Sequence, residues 1–124
     1  VRDIVSQAAE GNARAQLALD VLVHQARHWI GAFYLQLNGA DALVFTAGIG
    51  ENQPEIRRAI CLNLDQLGIR LDPAANGKIQ AQEAVISSPD SRVKVMVIPT
   101  NEELVVAREV RRFLQNIASN KNLD

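Results

Sequence analysis

Apolar residues recur along this chain in two rhythms. Leu19, Leu22, Ala26, Ile30, Phe33 and Leu37 return every third or fourth position, which gathers them on one helical face. Asn12, after Gly11, is a good N-cap for that helix, and Asn38-Gly39 closes it with a left-handed cap. The same spacing sets Ile56, Ile60, Leu64 and Leu67 on a helix that Pro54 opens and Gly68 ends. A last helix is predicted from about Thr100 to Ile117, with Val106, Val110, Phe113 and Ile117 inward and Ser119 to Asp124 fraying beyond it. The second rhythm is the unbroken apolar run of a buried strand. It occurs at Leu43 to Thr46 and at Val93 to Ile98, where Pro99 stops it because proline cannot donate to a strand ladder. Shorter strands are predicted at Ile69 to Asp72 and Val85 to Ser87. Between them Pro73 to Gln82 is polar, with Asn76-Gly77 as a turn, and is expected to be the loosest region.

Helix, strand, helix, short strands, strand, helix is the order of an α/β protein with parallel strands and crossover helices. The order is also incomplete. Two main parallel strands are too few for a sheet buried on both faces, and an open parallel edge is rarely left so. Strands from elsewhere or a partner chain are expected to complete it.

Composition narrows the class. The 124 residues suit one domain, with apolar and charged fractions of an ordinary globular protein. Formal charge is −1 with no basic stripe, which suggests neither nucleic acid nor an anionic membrane as partner. No apolar stretch reaches a membrane span and the N-terminus is amphipathic rather than signal-like, so a cytoplasmic location is expected. Cys61 is the single cysteine and sits among Ile60, Leu62 and Leu64, which reads as a small core residue rather than a nucleophile.

Three clusters carry candidate chemistry. The run Ala42 to Thr46 passes through Gly48-Ile49-Gly50 into the Pro54 helix, a strand-loop-helix junction of the kind where α/β folds bind nucleotides. Glycine there admits close backbone approach and positive φ. A dinucleotide loop needs a third glycine where Gln53 stands, and a P-loop needs Gly-Lys-Ser/Thr, so both common phosphate cradles are unlike this one. Glu51 would repel a polyphosphate unless a cation or an outward rotamer intervenes, which suits the loop to sugar and base. A purely structural turn is the alternative reading. Second, Thr100 and Glu103 fit a capping box, leaving Glu102 free at a strand end on the same rim, a position suited either to Mg²⁺ or to the helix dipole. Third, Asp20, His24 and His28 form one helical stripe that could hold a metal but reads better as a solvated or interface face.

Val44-Phe45-Thr46-Ala47-Gly48-Ile49-Gly50-Glu51-Asn52 and a helix are followed by Leu67-Gly68-Ile69 with Leu71-Asp72, and then by Ser87-Ser88-Pro89-Asp90-Ser91-Arg92-Val93. With Val97-Ile98-Pro99-Thr100-Asn101-Glu102-Glu103-Leu104 after them, this succession resembles the C-terminal part of the acetate kinases over essentially the whole chain. Ala47 stands where many members have glycine. The resemblance implies a partial ribonuclease-H-like, actin-like ATPase domain lacking its first three strands, with residues 1–124 forming the C-terminal part of the nucleotide-binding domain. It implies that Gly48, Ile49, Gly50, Glu51 and Asn52 contact the adenosine of ATP or ADP and that Glu102 is the Mg²⁺ ligand. Val1-Arg2-Asp3-Ile4 looks like the end of the family's Ser-x-Asp-x-Arg-Asp segment, which makes Arg2 a further nucleotide residue.

Acetate kinases transfer phosphate between ATP and acetate and are generally homodimers through this domain, so a homodimer is expected here. The family's catalytic Arg, His and Asp and its acetate pocket have no counterpart in the chain, which predicts no catalytic residue within it and no activity by it alone. Acetate or another short acyl substrate would bind only the full-length parent. Propionate and other short-chain acyl kinases share these motifs, and a non-catalytic nucleotide-binding or dimerisation module or a degraded product are the rivals of another class.

Overall fold

A computed structural model describes residues 2–120, with the backbone alone for Glu102, Asn116, Ala118, Ser119 and Asn120. Helix α1 (Arg2–Ala9) precedes α2 (Ala13–Gln36), strand β1 (Ala42–Phe45), and the short helices α3 (Ala47–Asn52) and α4 (Pro54–Cys61). A 3₁₀ turn (Asp65–Leu67), α5 (Pro73–Lys78), β2 (Ala84–Val85), β3 (Lys94–Val97) and α6 (Glu102–Asn120) complete the chain. The sheet order is β1-β3-β2. β1 runs parallel to β3, with Leu43 opposite Val95 and Phe45 opposite Val97, and β2 is antiparallel to β3.

Parallel pairing puts Phe45, Val93, Val95 and Val97 on one face of the sheet, where they are buried with Ile86, Ile56, Ile60, Cys61 and Ile69. Leu19, Leu22, Ala26, Ile30 and Tyr34 of α2 pack against this core. The other face is largely open: Val44 remains 43% exposed, Ala42 and Lys94 are exposed beside it, and Met96 opposite Val44 is half-buried. The sheet is thus buried chiefly on one face, as its two main parallel strands led us to expect. Isolated bridges pair Ile69 with Val93 and Leu71 with Ser87, so both predicted short strands exist only as fragments.

Asn12 caps α2 as expected, its Oδ1 accepting the Arg14 and Ala15 amides. At the other end the Gly39 amide donates to Tyr34 O and the Asn38 amide to Leu35 O, with Asn38 at φ 56, a Schellman closure. The buried stripe of α2 steps by four from Ala26 through Ile30 to Tyr34, which turns Phe33 and Leu37 outward, contrary to the predicted face. Along the same helix Asp20 accepts a hydrogen bond from Gln16 and His28 stacks edge-on against Trp29. Among the described residues no group of three His, Cys, Asp or Glu side chains converges to hold a metal.

Two further expectations are corrected. The helix from Pro54 stops at Cys61 instead of reaching Leu67, since Asn63 turns left-handed and Arg27 Nη1 takes the carbonyls of Ile60 and Leu62. And the first part of 73–82 is not loose: Asp72 caps α5 with Oδ1 on the Ala74 and Ala75 amides, and Asn76 is buried within that helix, while 80–82 are exposed bends. The segment 88–92 is tied down as well. The Ser91 hydroxyl accepts the Arg70 amide and lies against the carbonyls of Gly68 and Val93, while Asp90 pairs with Arg70 and Ser88. The Ser88 hydroxyl first, and Arg70 next, hold the Asp90 carboxyl below its ordinary range.

Helix α6 departs furthest from expectation. Val106, Val110, Phe113 and Ile117 were the predicted inner face, yet all four are exposed, Phe113 at 65%. The pattern is amphipathic, and no described element covers the apolar side. The helix continues through Ser119 and Asn120, so fraying there is not seen; 121–124 lie outside the described residues. Among the described residues no helix is long and apolar enough to cross a membrane.

Candidate functional site

The junction after β1 is not an open loop. Ala47–Asn52 coils into α3, and its left-handed residue is Ala47, at φ 58, rather than either glycine. The expected positive φ at Gly48 or Gly50 is thus corrected, since both have negative φ. Gly50 packs closely on β1: a Cβ there would lie 3.2 Å from the Phe45 carbonyl carbon, a tight contact. Gly48 is different. It is exposed, and a Cβ on it would meet nothing within 4 Å.

That open space belongs to a cleft of about 580 Å³ lined by Arg2, Thr46, Ala47, Gly48, Ile49, Asn52 and Gln53. Arg2, from the first turn of α1, is the single cation in this lining and stands beside residues more than forty positions away in sequence. Ile49 is half-buried and anchors α3 in the core. Asn52 turns its Nδ2 back onto Gly48 O at 3.0 Å, so its amide braces the same turn that lines the cleft. A second, more polar cleft of about 390 Å³ lies beside Ala47 and Gly48 and is lined also by Thr100, Asn101 and Glu103. A backbone without side chains at its centre, a guanidinium on one flank and carboxylate and amide groups on the other form a donor set that fits a nucleotide with a cation.

Glu51 is turned inward and buried. Its Oε1 accepts the Thr100 amide at 2.9 Å and the Thr100 hydroxyl at 3.2 Å. The carboxylate thereby avoids the cleft in which it would oppose a phosphate. It also changes the start of α6. With its amide occupied, Thr100 cannot take part in the predicted capping box; instead Asn101 Oδ1 accepts the Leu104 amide at 2.9 Å and caps the helix. Glu103 lines the second cleft, and the assignment of Glu102 by elimination lapses. The side chain of Glu102 lies outside the described residues.

Sequence reasoning overlooked Arg57. It is fully buried, and each of its five N–H groups is spent on an oxygen. Nη1 donates to the carbonyls of Gly50 and Glu51 at 2.8 and 2.9 Å, Nε to Asn76 Oδ1 at 2.8 Å, and Nη2 to the carbonyls of Asn76 and Ile79. Asn76 Nδ2 in turn donates to Pro54 O. Burial lowers the Arg57 pKa below its ordinary value. A guanidinium satisfied by carbonyl dipoles with no carboxylate is costly to desolvate, and here it fixes the C-terminal half of α3. The signal was present in sequence: Arg57 shares the inner stripe of α4 with Ile56 and Ile60.

Cys61 is buried, as predicted, and desolvation raises its thiol to about 11 despite the nearby Arg27 and Arg57. Such a thiol is a poor nucleophile at neutral pH.

Comparison with known proteins identifies the family. A profile described as the acetokinase family matches residues 1–108. The chain is 49% identical over 115 residues to an acetate kinase of Carboxydothermus hydrogenoformans, covering 93% of this chain and 29% of that protein. It is 53% identical over 113 residues to one of Dictyoglomus turgidum, covering 91% and 28%. Among solved structures, Porphyromonas gingivalis acetate kinase superposes with a TM-score of 0.81 at 37% identity over 91% of this chain and 28% of that one. A propionate kinase from Francisella tularensis gives 0.75 at 39%, over 87% and 27%. The chain spans less than a third of the length of these relatives. Its α/β architecture, with a small sheet containing one parallel pair, matches part of the acetate kinase fold and is that of a partial actin-like domain, and the chain belongs to the acetokinase family.

Proposed function

We propose that this chain forms the C-terminal nucleotide- and Mg²⁺-binding part, a single incomplete domain over 1–124, of a cytoplasmic, homodimeric kinase that transfers phosphate between ATP and acetate. The observation that carries the reading is the convergence of Arg2 with Gly48, Ile49 and Asn52 on one open cleft. Nucleotide would lie against the bare backbone at Gly48, with Arg2 beside its negative charge and α3 from Gly48 to Asn52 bordering its adenosine. When bound, the nucleotide supplies the phosphoryl group; the chain's own residues bind and orient it. Glu102 is assigned to Mg²⁺ through the family resemblance, with Glu103 a second carboxylate at the adjoining cleft.

No residue of the chain is assigned a catalytic role, and the chain alone is expected to be inactive, because the cations that stabilise a moving phosphoryl group lie in the other part of a full-length acetate kinase. The likeness to a propionate kinase favours a second reading for the acyl group, a longer short-chain acid in place of acetate.

Calorimetric titration of the purified chain with MgADP, with its mass in solution recorded, tests the reading. Saturable binding that Asn52→Ala weakens supports it, and a larger loss in Glu102→Ala than in Glu103→Ala assigns the cation to Glu102. A folded dimer that binds no MgADP would leave the chain an assembly module.

A further inference from the structure

Glu51 joins two segments that the proposed site needs together. It belongs to α3, which borders the cleft at Arg2 and Gly48, and its Oε1 holds both the amide and the hydroxyl of Thr100 in the turn that opens α6. Thr100, Asn101 and Glu103 of that turn line the second cleft, which shares Ala47 and Gly48 with the first. The two segments are distant in sequence and leave the ends of the paired strands, where the ladder stops at the Ile98 amide on Phe45 O, so that beyond it the Glu51 carboxylate holds them together, and α6 beyond the turn stands with its apolar side uncovered. Behind Glu51, Arg57 fixes the position from which the side chain reaches out by holding the carbonyls of Gly50 and Glu51.

We infer that Glu51 is a positioning residue that couples the nucleotide cleft to the α6 turn, so that a ligand seated on α3 also orders the segment carrying Thr100 to Glu103. Resting on the nucleotide reading above, this assigns the Glu51 carboxylate to Thr100 rather than to the nucleotide. A carboxylate accepting two hydrogen bonds from one residue fixes both the distance and the orientation of that residue, and such charge-assisted bonds are about twice as strong as neutral ones. Glutamine at this position keeps an acceptor oxygen at the same reach. Alanine leaves none.

Amide hydrogen exchange of Thr100 and Asn101, read with and without MgADP in the 124-residue chain, tests the coupling. In the parent chain MgADP is expected to slow Thr100 exchange. Glu51→Ala is expected to speed ligand-free Thr100 exchange by about tenfold or more, to abolish the slowing by MgADP, and to weaken MgADP binding. Glu51→Gln, which guards against a misfolded alanine variant, is expected to restore most of the protection and of the affinity. Tighter MgADP binding by Glu51→Gln would place the carboxylate beside the phosphates and overturn the assignment. So would unchanged Thr100 exchange in a folded Glu51→Ala chain. Binding of MgADP by the parent chain with no effect on Thr100 would overturn the coupling alone, whereas failure to bind, with Thr100 already protected, would sink the nucleotide reading and the coupling with it.

Discussion

Helices α4 and α6 follow the same rule of sequence and meet opposite fates. In α4 the apolar stripe Ile56, Ile60, Cys61 is buried against β3 and α2, and even a guanidinium is drawn beneath it. In α6 the stripe Val106, Val110, Phe113, Ile117 is as regular and stands in solvent. Amphipathicity states what a helix could bury; it does not provide the surface to bury it against. The sheet repeats the lesson, with Val95 and Val97 at zero exposure on one face while Val44 is open on the other.

The sharpest way to break this contrast is to attack the packed side. Arg57→Ala strands the carbonyls of Gly50, Glu51, Asn76 and Ile79 and leaves a void, and is expected to cost about 3–5 kcal/mol in chemical denaturation. An intact midpoint would mean that water replaces the guanidinium without loss. Next come paired truncations. Ile86→Ala, at a position with no exposure, should cost about 2–5 kcal/mol, whereas Phe113→Ala should stay within about 0.5 kcal/mol. A comparable cost at Phe113 would mean that α6 is covered in solution, by a second copy if the loss depends on concentration.

Alkaline pH probes the same packed corner. The Cys61 thiol titrates higher when folded, at about 11, than its ordinary 9.0, so its protonated form is favoured by the fold. The contribution is whole below about pH 9 and falls away as pH rises toward 11. Denaturation midpoints of the parent and Cys61→Ala chains should therefore converge over that range, and a gap that does not narrow would place the thiol in contact with water. One further effect is a gain. Ala47 holds a left-handed φ of 58 that glycine adopts freely, so Ala47→Gly should add about 1 kcal/mol. A loss instead would mean that the Ala47 methyl is packed in solution.

Much of this was legible in the sequence because caps and periodicity are local. Asn12, Asn38-Gly39 and Pro54 mark ends that the structure respects, whereas Gly68 closes only the 3₁₀ turn after α4 has already stopped at Cys61. The errors fall where a residue's partner is distant. Asn76-Gly77 has the composition of a turn, but Asp72 caps a helix there and Arg57 in α4 holds Asn76 within it. Thr100 has the composition of a capping box, but Glu51 takes its amide first. Whether Val106 or Phe113 is buried depends on surface that no local pattern encodes.

The buried guanidinium also bears on the order of events in folding. Every oxygen that Arg57 binds lies within 22 residues of it along the chain, whereas β1 must find β3 across the span from Ala42 to Lys94. Closing the shorter loop loses less chain entropy, so the corner from Gly50 to Ile79 is placed to form first and to present α3 before the parallel pair zips. Refolding rates would register that order: Ile60→Val should slow folding, and Val97→Ala should chiefly hasten unfolding. The open sheet face is then the last surface the chain leaves for others to cover.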